Sequence, residues 1–313
     1  MSEIFNKSKK IKFFTVGIML FLFLITGCIS EVPSSNSTTE SNNLMNTRVL
    51  HATNGTYSIN ATVPLVTGNI MTYTVEKPNY SQEWVNSLAK KLGMSGDVRE
   101  NEYGFYANTT DEEKFGFILE KNTQSMVFMS HNEGSSSGNL TDDEIITTVK
   151  DFLKGADLMS DAGEPRVVYS PGVITMSRSG QITHVSKQIV LVFSRRINGL
   201  PVWGSTSMIT VGSGGNIITI AMFWPDYQPY KTIPLKSPEQ AFGEFQTKKM
   251  DFSDSEPQLR PEKIVVTNVS LGYSTTGGKY FQPVYLFEGY GQQGNETQQF
   301  NPVEIPATNE ALE

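Results

Sequence analysis

Between residues 188 and 241 apolar runs alternate with turn residues in the rhythm of an antiparallel ribbon. Ile189 to Phe193 is an unbroken apolar run bounded by charge, and Ser207 to Val211 and Ile217 to Trp224 are two further β-rich runs. Asn198-Gly199 separates the first run from Pro201-Val202-Trp203, and an Asn-Gly pair is the strongest short hairpin signal because both residues tolerate positive φ. Pro201 cannot donate to a ladder, so it is expected to open a strand or lie on an edge. Gly212, Gly214 and Gly215 reverse the chain again. After Trp224, Pro225, Pro229 and Pro234 carry an extended crossover to Ser237-Pro238-Glu239-Gln240. A Ser cap, a proline at the first helical position and Gln at the third predict a helix start there.

The same alternation runs through the rest of the chain. Asn69 to Glu76 predicts a strand, and Ser81 caps a helix whose Trp84, Leu88 and Leu92 share one face, with Gly93 as its stop. Three β-rich runs follow: Val98 to Tyr106, Lys114 to Glu120 and Ser125 to Ser130. Residues 134–139 are small and polar and mark an internal boundary. Thr141 to Glu144 then forms a capping box for a second helix, with Ile145, Val149 and Phe152 on one face. Strands are expected at Arg166 to Tyr169, Val173 to Ser177 and Gln181 to Val185. A closing hairpin is expected from Ile264 to Tyr273 and Tyr280 to Tyr290, with Pro283 on an edge. From Gly291 the chain is rich in Gln, Asn and Gly, which predicts a frayed tail. Helix followed by meander thus recurs after Ser81, Thr141 and Ser237.

Residues 1–28 read as an address. Lys7, Lys9, Lys10 and Lys12 precede an apolar stretch from Phe13 to Ile25 that is short for a membrane span. Ile25-Thr26-Gly27-Cys28 resembles a lipobox, in which the cysteine is lipidated and becomes the mature N-terminus, facing the outside of the membrane. Cys28 is the single cysteine of the chain, so no intrachain disulfide can form. Residues 29–53, rich in Ser, Thr and Asn, read as a flexible tether. Loss of the leader takes the net charge from −7 to about −10, a surface that repels nucleic acid. The sequons at Asn36, Asn54, Asn60, Asn79, Asn108, Asn139, Asn268 and Asn295 matter only in a glycosylating host.

The residues "RRINGLPVWGS", two further strands and "LKSPEQAF" together resemble the PepSY-type module of protease propeptides and of YycH/YycI-type extracytoplasmic regulators, over 188 to about 287. The resemblance implies a helix packed on a twisted antiparallel sheet, and binding or inhibition in place of catalysis. Its motif falls on Asn198, Gly199, Pro201 and Val202, which shape a turn and a strand; none is a catalytic group.

Other motifs lack the context their chemistry requires. Gly134-Ser-Ser-Ser-Gly138 is a low-complexity loop, and the next helix begins only at Thr141, whereas a nucleophile elbow needs a strand directly before it and a helix directly after. Ser87 and Lys90 match S-x-x-K on the solvated face of the first helix without partner motifs. His51, His131 and His184 lie too far apart in sequence for a local zinc motif. Asp251, Asp254 and Glu256 lack the EF-hand order, and the glycines at 212–215 precede a strand where a phosphate cradle needs a helix. Trp203, Trp224, Tyr227 and Tyr230 cluster around the motif as core or as a possible binding face.

The expectation is therefore an α+β chain of tandem modules, each one helix on an antiparallel sheet. Module boundaries fall at 54–138 and 139–290, with a flexible tail at 291–313. No enzyme activity, cofactor or metal is expected. The expected partners are a membrane, through Cys28, and an extracytoplasmic protein or peptide that the chain modulates. The alternative is a small-molecule or metal-binding lipoprotein with its site in the cleft between modules.

Overall fold

The computed structural model describes residues 47–65, 67–76, 80–94, 98–108, 115–130, 140–176, 182–212, 214–252, 261–275, 279–310 and 312; side chains are described outside 108, 115 and 170–187. Cys28, His131, the 134–139 boundary, Asp254 and Glu256 lie outside the described residues.

The chain enters through a hairpin, β1 (Thr47–Asn54) and β2 (Tyr57–Pro64), and a third strand, β3 (Asn69–Val75). Helix α1 (Gln82–Lys91) begins where Ser81 accepts from the Trp84 backbone N–H at 3.2 Å, and stops at Gly93 with φ +81°. A meander follows: β4 (Arg99–Glu100), β5 (Gly104–Asn108), β6 (Phe115–Glu120) and β7 (Ser125–Ser130). The run from Val98 to Tyr106, expected as one strand, is broken because Asn101 Oδ1 accepts from the N–H groups of Tyr103 and Gly104, both at 2.9 Å, and turns the chain.

The second helix, α2 (Asp142–Gly155), carries the reciprocal capping box of Thr141 and Glu144. It leads into β8 (Arg166–Met176), β9 (Ile182–Ile197), β10 (Leu200–Gly212) and β11 (Ile217–Phe223). The proline-rich crossover is itself an edge strand, β12 (Tyr227–Pro234). Helix α3 (Pro238–Phe245) follows with its Ser237 and Gln240 capping box, then β13 (Lys263–Ser274), β14 (Tyr280–Gln293), β15 (Glu296–Gln299) and β16 (Val303–Pro306).

The expected series of helix-on-sheet modules does not form. Strands dominate, and among the described residues sixteen strands belong to one mixed sheet whose main path runs β12-β3-β14-β13-β10-β11-β7-β6-β5-β4. The meander after α1 and the strands after α2 join because β7 pairs with β11, from Met129 opposite Thr219 to Ser125 opposite Phe223. Helices α1 and α2 consequently cover the same core: Val85, Leu88 and Ala89 of one and Ile145, Val149 and Leu153 of the other share it with Phe105, Phe117, Phe128 and Leu191. Local pattern creates each helix and each hairpin, but a four-stranded sheet with one helix leaves an apolar edge that the neighbouring meander covers.

The second core draws on both ends of the described chain. Ile59, Val63 and Tyr73 from its beginning meet Phe242, Phe245, Phe287, Phe300 and Ile305 from its end. Two parallel contacts knit it: β2 beside β13, and the first residues of β10 beside the last of β13. Residues 47–53 of the expected tether are thus β1. The expected frayed tail from Gly291 instead supplies β15 and β16, which pair along β14, with Ile305 and Ala307 fully buried.

Pro283 sits inside β14 and not on an edge. Its carbonyl accepts from the Ala307 N–H at 2.9 Å, and the two polar positions of one residue point to the same side of a strand. Its missing N–H therefore faces the margin where the partner of β14 changes from β3 to β16, so no ladder bond is lost.

Candidate binding site at the junction of the two cores

Strand β9 runs through both cores, and its inward row shows where they meet. Ile189, Leu191 and Phe193 lie in the helix-covered core and Ile197 in the second; between them, at the same period of two, comes Arg195. The side chain is 2% exposed. Asp161 answers it as a two-pronged partner, Oδ2 at 3.0 Å from Nε and Oδ1 at 3.1 Å from Nη2, while Nη1 donates to the Pro225 carbonyl. The guanidinium lies 4.7 Å from the Trp224 ring centroid, 5.0 Å from Tyr227 and 5.9 Å from Phe281.

Asp161 is placed by the loop after α2, in which Asp157 and Met159 both take positive φ, at 55° and 53°. Leu158 and Met159 are buried in the helix-covered core and hold that backbone down. Asp161 also accepts from the Trp224 indole N–H at 2.6 Å. Its side chain keeps 30% exposure, so the pair is buried on the cation's side and partly solvated on the carboxylate's.

Asp226 is adjacent. Burial pushes its carboxyl above the ordinary range, Arg195 opposes this, and Asp161 and Asp157 add to it. Burial, with the charge of Asp226 second, pushes the Tyr80 hydroxyl up to about 12. Gln124, buried at φ 55°, ties the strands together by donating to the Glu76 carbonyl and accepting from the Asp226 N–H at 2.8 Å.

Asn198 and Gly199, at φ 52° and 79°, form the two-residue turn between β9 and β10. The Asn198 amide donates to the Tyr73 hydroxyl at 2.7 Å, and the Gly199 carbonyl accepts from Arg196 at 2.6 Å. Pro201 is the second residue of β10, opposite Arg196, and Val202 is buried in the second core. Beyond them β10 kinks at Gly204, φ +82°, and crosses into the other core. A Cβ on Gly204 would strike the Thr275 hydroxyl.

The four aromatics of the possible binding face do not share one surface. Trp224 is buried against Arg195, and Tyr227 is half-buried between Arg195 and Tyr73. Trp203 is half-buried over Gly272, where a Cβ would come within 2.7 Å of its ring. Tyr230 alone of the four is exposed, at 50%. It packs on Tyr280 with centroids 5.2 Å apart; Lys231 lies 5.7 Å from its ring and Lys279 5.2 Å from the Tyr280 ring. Lys279 also lines an open groove of about 550 Å³ with Thr74, Val75, Glu76 and Gln228. The groove lies next to the Arg195 junction, because Val75 pairs with Tyr227.

Sequence reasoning missed Arg195, Asp161, Gln124 and the groove. A signal for the first was present: arginine at an inward position of a strand that is otherwise apolar. Ser87 and Lys90 are exposed on α1, and His51 is exposed on β1. Among the described residues no group of three or more His, Cys, Asp or Glu is placed to hold a metal ion, and no helix is long and apolar enough to cross a membrane.

No protein-family model matches the chain, and the search of curated proteins gives no match. Five chains of solved structure match. One is an uncharacterized protein from Eubacterium rectale, 11% identical, with a TM-score of 0.45, covering 82% of this chain and 90% of that one. Another is the YpeB C-terminal domain of Bacillus megaterium, 11% identical, with a TM-score of 0.29, covering 75% of this chain and 95% of that one. Likeness at these scores supports no statement about activity.

Proposed function

We propose that the chain is a lipid-anchored protein outside the cytoplasmic membrane, held by Cys28, that binds and modulates another extracytoplasmic protein or peptide without catalysing a reaction. The observation that supports this reading is the surface at the junction: exposed Tyr230 on Tyr280, two lysines over their rings, and the adjoining groove between Glu76 and Lys279. Tyrosine is among the common anchors of protein contacts; Lys231, which also pairs with Glu310, and Lys279 set positive charge beside the two rings. The patch rests on β12 and β14, which the buried Arg195 network ties to both cores. The resemblance of residues 188–287 to PepSY-type modules belongs to this proposal and agrees with a regulatory role.

The test is affinity capture from detergent-solubilised membranes with the tagged chain and with Tyr230→Ala. A specific partner recovered by the first and lost with the second is the expected result. Identical recovery with both, or recovery of abundant envelope proteins only, contradicts it.

The groove's volume also lies in the range of small-ligand sites, which favours a second reading as a small-molecule-binding lipoprotein. A ligand that binds only the native state raises the melting temperature by mass action. A thermal-shift screen in which a hit disappears with Gln228→Ala would establish that reading over the first.

A further inference from the structure

The exposed sheet edges are not equivalent. On β12 the Glu76 N–H donates to the Asp226 carbonyl and the Leu235 N–H to the Gly68 carbonyl, at 2.8 and 3.0 Å. Counting alternately from these bonds turns Pro229 and Pro234 away from β3, so the free edge of β12 lacks two donors. Strand β8 is interrupted at Pro171-Gly172, where its register with β9 shifts. Strand β4 is two residues long, and β15 and β16 four each. These are the devices by which sheets refuse a further strand.

Strand β1 has none of them. It is eight residues long, contains no proline, and keeps an unbroken register with β2. Its two-residue turn, with Gly55 at φ 59°, makes Asn54 and Tyr57 a hydrogen-bonded pair. Alternation then points the backbone groups of Thr47, Val49, His51 and Thr53 away from β2. Among the described residues β1 pairs with β2 alone, and Val49 is 57% exposed.

Charge does not oppose a second copy here, and the register suits one. In a chain that is 18% charged, the eighteen residues from Thr47 to Pro64 hold one charged side chain, Arg48, and it pairs with Glu239. The chain's net charge of −7 opposes a second copy in general, and this strip adds nothing to that opposition. The four outward residues are also symmetric about Leu50. In antiparallel pairing about that point, Thr47 of one copy faces Thr53 of the other and Val49 faces His51. Arg48 faces Ala52, so no like charges meet, and about eight backbone hydrogen bonds form with no outward group left over.

We infer that β1 is a self-association edge, through which two copies of this chain join their sheets by antiparallel β1 pairing centred on Leu50. This stands apart from the partner proposed for the junction. It is tested by sedimentation velocity of the full chain in detergent, with Val49→Pro, which removes an outward donor as Pro229 and Pro234 do on β12. A dimer is expected, at least tenfold weaker in the variant and strengthened by added salt. A monomer at every concentration, or a dimer indifferent to Val49→Pro, overturns the inference.

A monomer whose capture of another protein is lost with Val49→Pro also overturns it, in favour of a foreign strand at this edge. If Val49→Pro does not fold, as judged by circular dichroism, mixed copies carrying Thr47→Cys and Thr53→Cys decide. Residues in a hydrogen-bonded pair lie about 5.5 Å apart between Cα atoms, within disulfide reach. A Thr47→Cys to Thr53→Cys cross-link absent from the unsubstituted chain is expected, and its absence under oxidation rejects the pairing.

Discussion

The two cores are made from different kinds of sequence. The helix-covered core is drawn from the single stretch between Tyr80 and Trp224, and its strands pair in order within each meander. The second core joins residues from 50 to 75 with residues from 197 to 312, through parallel contacts such as Ile264 beside Tyr57. Their chemistry differs as well. The first mixes aliphatic residues and phenylalanines under two helices, while the second stacks Phe245 on Phe287 at 4.9 Å and lays Tyr73 against Tyr273 at 5.5 Å. Burial raises the hydroxyl pKa of Tyr285 to about 12 and raises that of Tyr273 too. The first core can close as its segment is completed. The second must await both ends, so the contacts that join the two decide whether the molecule behaves as one unit.

The sharpest way to break the comparison is at Arg195. Arg195→Met keeps bulk but takes the ion pair from Asp161; because that carboxylate is 30% exposed, the loss is expected below the roughly 3–5 kcal/mol of a fully buried pair. Because β9 feeds both cores, near-ultraviolet signals of both are expected to melt together at a lower temperature. Loss confined to the second core would show that the junction does not couple them.

The capping boxes separate the cores more gently. Thr141→Ala weakens α2 and Ser237→Ala weakens α3, each by about 1 kcal/mol. If the cores are coupled, each variant lowers a single denaturant midpoint by a similar amount, with an unchanged slope. A second transition appearing with Ser237→Ala alone would divide them.

The smallest expected effect tests the electrostatics of the seam. The folded pKa of Asp226 is raised, chiefly by burial, so the stability linked to its protonated form is complete below 3.8 and fades as pH rises through the raised value. Asp226→Asn should therefore melt slightly above the parent chain at pH 7. The gain should shrink to nothing in acid below the ordinary carboxylate value. A gain of equal size at both extremes would point to a cause other than charge.

The same contrast shows what the sequence made legible. Caps at Ser81, Thr141 and Ser237 and the Asn198-Gly199 turn are visible because their mechanism is contained in four or five residues. The β1–β2 hairpin is equally local, with Gly55 at its turn, but the Ser-, Thr- and Asn-rich composition up to Thr53 masks its first strand as tether. Gly294-Asn295 before β15 was hidden in the same way by glutamines. Pairing of β7 with β11 and of β2 with β13 was not legible, because each depends on which of many apolar edges lie next to one another after folding. Arg195 was a polar break in an apolar row, and only the position of Asp161, 34 residues earlier, reveals that it is a junction.

Native-state hydrogen exchange tests directest of all whether the two cores form one cooperative unit. Amides of Phe117 and Phe128, in the first core, and of Tyr285 and Phe287, in the second, should open with the same free energy and the same denaturant dependence, equal to those of global unfolding. Exchange of the β14 amides through a cheaper opening, while those of β6 and β7 stay protected, would contradict the coupling and leave Arg195 as a local contact.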